Sequence, residues 1–232
     1  NKDVHRVTAC LLTGLPTSQC EQIAKGSTIR DLAKVCNHEL NYDAGPGQFQ
    51  LTVNEEYDPD DPDSVKLDFA TAKLTRDKYL QTRPALPNYW ESIRAQLKLN
   101  RTLVTPFGRE FQFLDQWGHE LLRRAYSYIP QATVGEITNY GIAQVHGTRP
   151  AEHVESAESK VDDLRRMGLQ FLLQVHDSTV WQVPDESVDE AIPHLLQLLE
   201  VPFSLNGYNL VIPIEAAKGK SWYSKEMDEV GK

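Results

Sequence analysis

The stretch "LLQVHDSTVWQV" (172–183) constrains the fold more than any other part of this 232-residue sequence. Its apolar residues alternate as in a half-buried strand: Leu173 and Val175 share one face, and Val180 leads a second run through Trp181 to Val183. Polar or small residues, His176 to Thr179, separate the two runs. The pattern predicts a β-hairpin whose tip carries a carboxylate, Asp177, beside an imidazole, His176. Asp and Ser are also common turn residues, so the tip taken alone reads as a solvated turn as well.

The rest of the chain divides into a helical front and a mixed back. Helical patterns cover 2–13, stopped by Gly14-Leu15-Pro16, and 28–42, ended by "DAGPG". The acidic, proline-broken "NEEYDPDDPDS" (54–64) predicts a solvated or partly disordered loop. Helices follow at 69–80 and 86–100. Then "TLVTPFGREFQF" (102–113) alternates around Phe107-Gly108 as another hairpin. A long helical stretch at 118–145, interrupted near Pro130, is followed by a helix at 154–167, the opening hairpin, a helix at 186–200 and a last strand, "LVIPIEAA" (210–217). The expected class is α+β, with a helical region over 1–100 and an antiparallel sheet with packed helices over 101–232.

Composition narrows the function classes. No apolar run approaches the roughly 20 residues that span a bilayer, and no signal peptide opens the sequence. Cys10, Cys20 and Cys36 are an odd set without metal-type spacing, as expected of reduced thiols in an intracellular setting. A net charge of −9 argues against broad, non-specific nucleic-acid binding but leaves room for local basic stripes.

One such stripe lies in "STIRDLAKVCNHELNY" (27–42). Thr28 and Asp31 resemble a capping box. Arg30, Lys34, His38 and Tyr42 recur every four residues and so form one slanted row. Ile29, Leu32, Ala33, Cys36 and Leu40 fall on the opposite arc, predicted to be buried. Two cations, an imidazole and an aromatic ring in a row could grip a triphosphate, its sugar and a base. A solvated helix face with incidental charges is the alternative.

Read together, these segments resemble the C-terminal part of family A DNA polymerases, in the family's order and over nearly the whole chain. "KDVHRVTACLLTGLP" (2–16) looks like the family's "DIHRATA" segment. "RDLAKVCNHELNY" (30–42) is similar to its fingers-helix pattern of Arg, three residues, Lys, seven residues and Tyr. "TPFGREFQF" (105–113) looks like its "T-x-x-G-R-R" hairpin, and "RRAYSYIPQATVGEI" (123–137) resembles its glutamine-bearing palm helix. "QVHDSTVWQVP" (174–184) is similar to the "QVHDE" metal hairpin, and "LVIPIEAAKGKSW" (210–222) to the closing strand.

The resemblance implies fingers over 1–100 and the C-terminal part of a palm over 101–232. It implies a DNA-directed DNA polymerase that transfers nucleotides from dNTPs to a primer 3′ end with two divalent ions, Mg²⁺ or alternatively Mn²⁺. Asp177 would bind the ions and His176 would sit by the primer's terminal phosphate. Arg30 and Lys34 would hold the β and γ phosphates, with Lys34 placed to protonate the leaving pyrophosphate. His5 would touch the β phosphate, His38 would pack against the sugar, and Tyr42 would stack near the templating base. Gln131, assisted by Arg123, would read the minor-groove edge of the primer–template. Arg109 belongs to a hairpin that is either structural or duplex-tracking.

Three positions depart from the family pattern: Ser178 replaces the usual Glu, His38 an aromatic residue, and Asp43 a Gly. The family's first carboxylate motif, "D-x-S-x-I-E", would lie upstream of Asn1. The resemblance therefore implies a second polypeptide or an upstream segment that supplies the thumb and that carboxylate, and a chain inactive alone. It also implies a cytoplasmic setting, in a bacterial cell or phage-infected host. The alternative is a non-catalytic remnant that binds DNA or a replication partner.

Overall fold

The computed structural model describes residues 3–24, 27–55, 57–60, 65–222 and 227–230, with Thr17 as backbone alone. The chain is α+β and forms two compact units: residues 1–103 with 111–128, and residues 104–110 with 129–232.

In the first unit, α1 (Val4–Thr13) begins where the Asp3 carboxylate accepts from the backbone N–H groups of His5 and Arg6, and ends at Gly14 with φ of 78°. Only glycine takes that conformation at little cost, so the helix stops there. A short 3-10 turn, Thr17–Gln22, leads toward α2 (Thr28–Leu40). The expected capping box is not realised. Ser27 is the N-cap residue, and its hydroxyl donates back to the Ala24 carbonyl. The predicted buried arc holds: Ala33, Cys36 and Leu40 are fully buried, while Ile29 and Leu32 pack against the core at its edge.

Next comes α3 (Pro46–Glu55), a helix the sequence pattern does not predict. Pro46 looked like a terminator, but it occupies the first position of the next helix, where its missing N–H costs nothing. Phe49 and Val53 of α3 join Cys36, Leu40, Ala72 and Tyr79 in the core. The expected acidic loop therefore begins at the end of a helix. Its base is tied because the Asn54 side chain exchanges two hydrogen bonds with the Leu67 backbone, at 2.8 and 2.9 Å. Residues 56 and 61–64 of that loop lie outside the described residues. Two further helices, α4 (Phe69–Gln81, capped by Asp68) and α5 (Ala85–Asn100), follow as expected.

Strands β1 (Thr102–Val104) and β2 (Glu110–Gln112) pair as the first hairpin. The long helix α6 (His119–Val145) then runs without the break expected near Pro130. A proline leaves the carbonyl four residues earlier without its helical donor. That carbonyl belongs to Tyr126, and the Tyr89 hydroxyl donates to it at 2.9 Å. Tyr89→Phe is accordingly expected to lower unfolding stability by about 1–3 kcal/mol in denaturant titrations, since it orphans a helix carbonyl.

The second unit holds α7 (Ala157–Arg166) and α8 (Val188–Leu199), whose Val161, Leu164, Ala191, Leu198 and Leu199 form a core. A Cβ on Gly141 of α6 would meet Leu199 backbone atoms at 3.0–3.1 Å, so the helices approach at a position that admits only glycine without adjustment. The hairpin β3 (Gln170–Val175) and β4 (Ser178–Gln182) rests Trp181 on this core, with Val183 just beyond it. The last predicted strand is corrected. Residues 203–210 form their own hairpin, β5 (Phe203–Leu205) with β6 (Tyr208–Leu210). Residues 211–215, which include Pro213, carry no strand, and β7 (Ala216–Lys218) pairs with β8 (Asp228–Val230). No helix among the described residues is long and apolar enough to cross a membrane. All three cysteines are free and buried, and burial pushes the thiols of Cys10 and Cys36 up to about 11 and about 12.

Candidate functional site

The packing of α1 on α2 brings His5 alongside the expected cationic row. Asp3 organises this corner. One of its oxygens caps α1, and the other accepts from Arg30 Nε at 3.0 Å. Burial alone would raise the Asp3 pKa, but the hydrogen bonds from Arg30, Arg6 and His5 outweigh it and hold the carboxyl below its ordinary value. Arg30 is thus fixed in direction by a neighbour that sequence reasoning did not single out. The available signal was an aspartate immediately before a helix, the usual place for an N-cap.

Lys34 is exposed one turn further along α2. Its charge and that of Arg30 both bear on His5, which sits half-buried at the second position of α1. Burial first, then those two cations against the opposing pull of Asp3, lowers the His5 pKa below its ordinary 6.5. This favours the neutral form of the imidazole. His38 is the outlying member of the row: its side chain is 76% exposed, with Nδ1 3.4 Å from Glu39. Tyr42 lies beyond the helix, which ends at Leu40 rather than at 42, and burial raises its pKa. So His5, Arg30 and Lys34 share one electrostatic neighbourhood, while Tyr42 is carried on the turn that follows.

That turn contains Asp43, with φ of 62°. Its carboxylate accepts from Arg76 of α4 at 2.7 Å and from Arg94 of α5 at 3.1 Å. Asp43 thus occupies a conformation that glycine favours, and it links two further helices.

In the second unit, the hairpin tip is tighter than expected. Two residues, His176 and Asp177, connect β3 to β4, and Ser178 and Thr179 already belong to β4, paired with Val175 and Gln174. His176 adopts φ of 56°, and its carbonyl accepts from Gln174 Nε2 at 3.2 Å. Asp177 is exposed and forms no salt bridge with the described residues. Leu172 has no partner in the register, which makes a bulge in β3.

The remaining candidates are dispersed. Gln131 is exposed on α6, one residue after Pro130. Arg123 on the same helix lies 3.4 Å from Glu39, a carboxylate on α2 that the sequence reading had not weighed. Arg109 lies 3.3 Å from Glu136, whose side chain is nearly buried on α6. Of possible metal-ligating carboxylates, the hairpin tip offers Asp177 alone, followed by the hydroxyl of Ser178. No cluster of three or more His, Cys, Asp or Glu residues suited to a metal ion occurs among the described residues. The adjacent pair Asp162 and Asp163 is engaged by Arg165 and Arg166. An exposed carboxylate on a paired hairpin fits one ligand position of a hard divalent ion, and it does not complete a site.

A sequence model of DNA polymerase family A matches residues 1–224. The thermostable DNA polymerase I of Thermus filiformis is 25% identical over 230 residues, covering 98% of this chain and 24% of that protein. DNA polymerase I of Rhizobium leguminosarum is 24% identical over 203 residues, covering 85% of this chain and 17% of that protein. The polymerase domain of Pol1 from M. smegmatis, solved in complex with DNA primer-template and dNTP, is similar in fold. Its TM-score is 0.67 at 16% identity, over 90% of this chain and 33% of that one. The chain thus spans about a quarter or less of the length of these curated relatives. With the family model covering all but its last residues, this chain belongs to DNA polymerase family A.

Proposed function

We propose that this chain is the nucleotide-gripping and partial metal-binding portion of a template-directed DNA polymerase, which adds nucleotides from dNTPs to a primer 3′ end. The observation that carries this reading is the α1–α2 corner. There a His5 biased toward its neutral form, an Arg30 oriented by Asp3 and an exposed Lys34 offer donors to one anionic ligand. The M. smegmatis relative, solved with primer-template and dNTP, supports the choice of ligand. On this reading residues 1–100 act as fingers and 101–232 as part of a palm.

Arg30 and His5 bind phosphate oxygens, and Lys34 donates a proton to the departing pyrophosphate. His38 and Tyr42 face the sugar and the base. Asp177 holds catalytic Mg²⁺, and His176 stands by the primer terminus. Divalent ions held there would supply charge neutralisation for the phosphoryl transfer. Gln131 reads the primer–template minor groove, with Arg123 released from Glu39 to assist. One carboxylate does not position two ions, so the remaining ligands come from polypeptide outside these 232 residues, upstream or on a second chain.

The test is nucleotide kinetics in the assembled polymerase. Arg30→Ala is expected to raise KM, and Lys34→Ala to lower kcat, each by the equivalent of about 1.5–3 kcal/mol. Primer–template affinity should barely move. If both variants leave the nucleotide kinetics unchanged, the row is a solvated face. Robust primer extension by the 232-residue chain alone would reject the outside contribution.

A further inference from the structure

Beside the cationic row, a run of partly buried hydrogen bonds ends on His5. The Arg83 guanidinium lies 4.0 Å over the Tyr79 ring and donates to Thr8 Oγ1 at 2.6 Å. Arginine has only donors, so Thr8 turns its own proton to the Val4 carbonyl or to Asn37 Oδ1, each at 2.9 Å. The hydroxyl of fully buried Tyr79 stands 2.9 Å from Asn37 Oδ1 and 2.8 Å from Asn41 Oδ1. Asn37 Oδ1 lies within reach of both hydroxyls, either of which can donate to it, and Nδ2 faces His5 Nδ1, 3.1 Å away. An amide nitrogen donates and does not accept. Nδ1 then presents its lone pair, and the single ring proton sits on Nε2.

We propose that Asn37 is a positioning residue for the nucleotide phosphates: it fixes the His5 tautomer so that Nε2 donates a hydrogen bond to the anion instead of facing it with a lone pair. This inference rests on the reading of the corner as a triphosphate site. A neutral imidazole has one N–H, so its placement decides whether the ring attracts or repels a phosphate oxygen. The same network fastens His5 to α2 and, through Tyr79, to α4.

Asn37→Asp is the informative substitution, because it keeps the shape but leaves only acceptors opposite Nδ1. Long-range ¹H–¹⁵N spectra of the His5 ring should show the Nε2–H tautomer in the native 232-residue chain and Nδ1–H in the variant. Affinity for dATP with Mg²⁺ should fall about tenfold. The added negative charge also repels phosphate, so the comparison is repeated with His5→Ala. There Asn37→Asp should cost clearly less, the difference being the coupling between the two residues. An Nδ1–H ring in the native chain would mean the opposite amide orientation and would overturn the proposal. Equal losses with and without His5 would overturn it too. The underlying reading has its own control, because Arg30→Ala must weaken dATP binding. If it does not, the triphosphate site falls, and the purpose assigned to Asn37 falls with it, whatever the ring tautomer.

Discussion

Replacing Asp177 by Asn is expected to slow nucleotide addition by the assembled polymerase about a thousandfold or more, with primer–template affinity nearly unchanged. Asn keeps the size and polarity of the side chain, so the two-residue connection between β3 and β4 should survive. What is lost is the anionic ligand. The neighbouring Ser178 makes the comparison sharp, since it is one residue away and paired in register with Val175. A hydroxyl is a poor ligand for a hard divalent ion, so Ser178→Ala should change the rate little. His176→Gly separates the tip's shape from its chemistry: the backbone at φ of 56° suits glycine, so the turn persists while the imidazole goes. Single-turnover primer extension would read all three. Similar losses for Asp177→Asn and Ser178→Ala would sink the assignment of Asp177 as the metal ligand.

The hairpin was legible because it needs only local information. Alternating apolar residues place Trp181 and Val183 toward α7 and α8, and the polar break sets the turn. The buried arc of α2 was legible for the same reason, as a period-3.6 pattern with one face to hide. Reading failed where one residue type serves two purposes. Pro46 ends one helical pattern and opens the next, so α3 went unseen. Pro130 predicts a break in α6, yet the helix runs through it, and the carbonyl it leaves without a donor is met by the hydroxyl of Tyr89, 41 positions before the proline. No local pattern carries that donor. The Asn206-Gly207 turn was different, because the signal was there: Asn-Gly between alternating residues is a strong hairpin mark, and both residues take positive φ. It was missed because the following "LVIPIEAA" read as one strand, although Pro213 sits inside it. At the candidate site the row of cations was visible as a spacing. Its supports, Asp3, Asn37 and Asp43, act across elements, so their ties follow from how α1, α2, α4 and α5 pack, although Asp3 also carries a local N-cap signal.

Asp43 is expected to contribute strongly to stability. It sits in the left-handed region at φ of 62°, and its carboxylate joins Arg76 and Arg94 with only 17% of the side chain exposed. Three terms can be separated by substitution. Asp43→Gly suits the backbone and removes both ion pairs, leaving two partly buried guanidinium groups short of a partner, at a cost of about 2 kcal/mol. Arg76 keeps its bond to the Ala44 carbonyl, which limits that loss. Asp43→Ala carries the same loss and adds the cost of a Cβ in a left-handed conformation, about 1 kcal/mol more. Asp43→Asn tolerates the backbone and can still accept from one arginine, so it should be mildest. Denaturant titration of the chain should rank the variants Asn, Gly, Ala from least to most destabilised. The consequence reaches the candidate site through the chain itself. Tyr42 immediately precedes Asp43, and the preceding Asn41 carbonyl is held by buried Trp90 at 2.9 Å. A loosened turn should therefore also weaken dATP binding in Asp43→Ala under conditions where the variant remains folded. Equal destabilisation by Gly and Ala would show that the backbone conformation at this position carries no cost. A variant that binds dATP as the native chain does would detach the turn from the site.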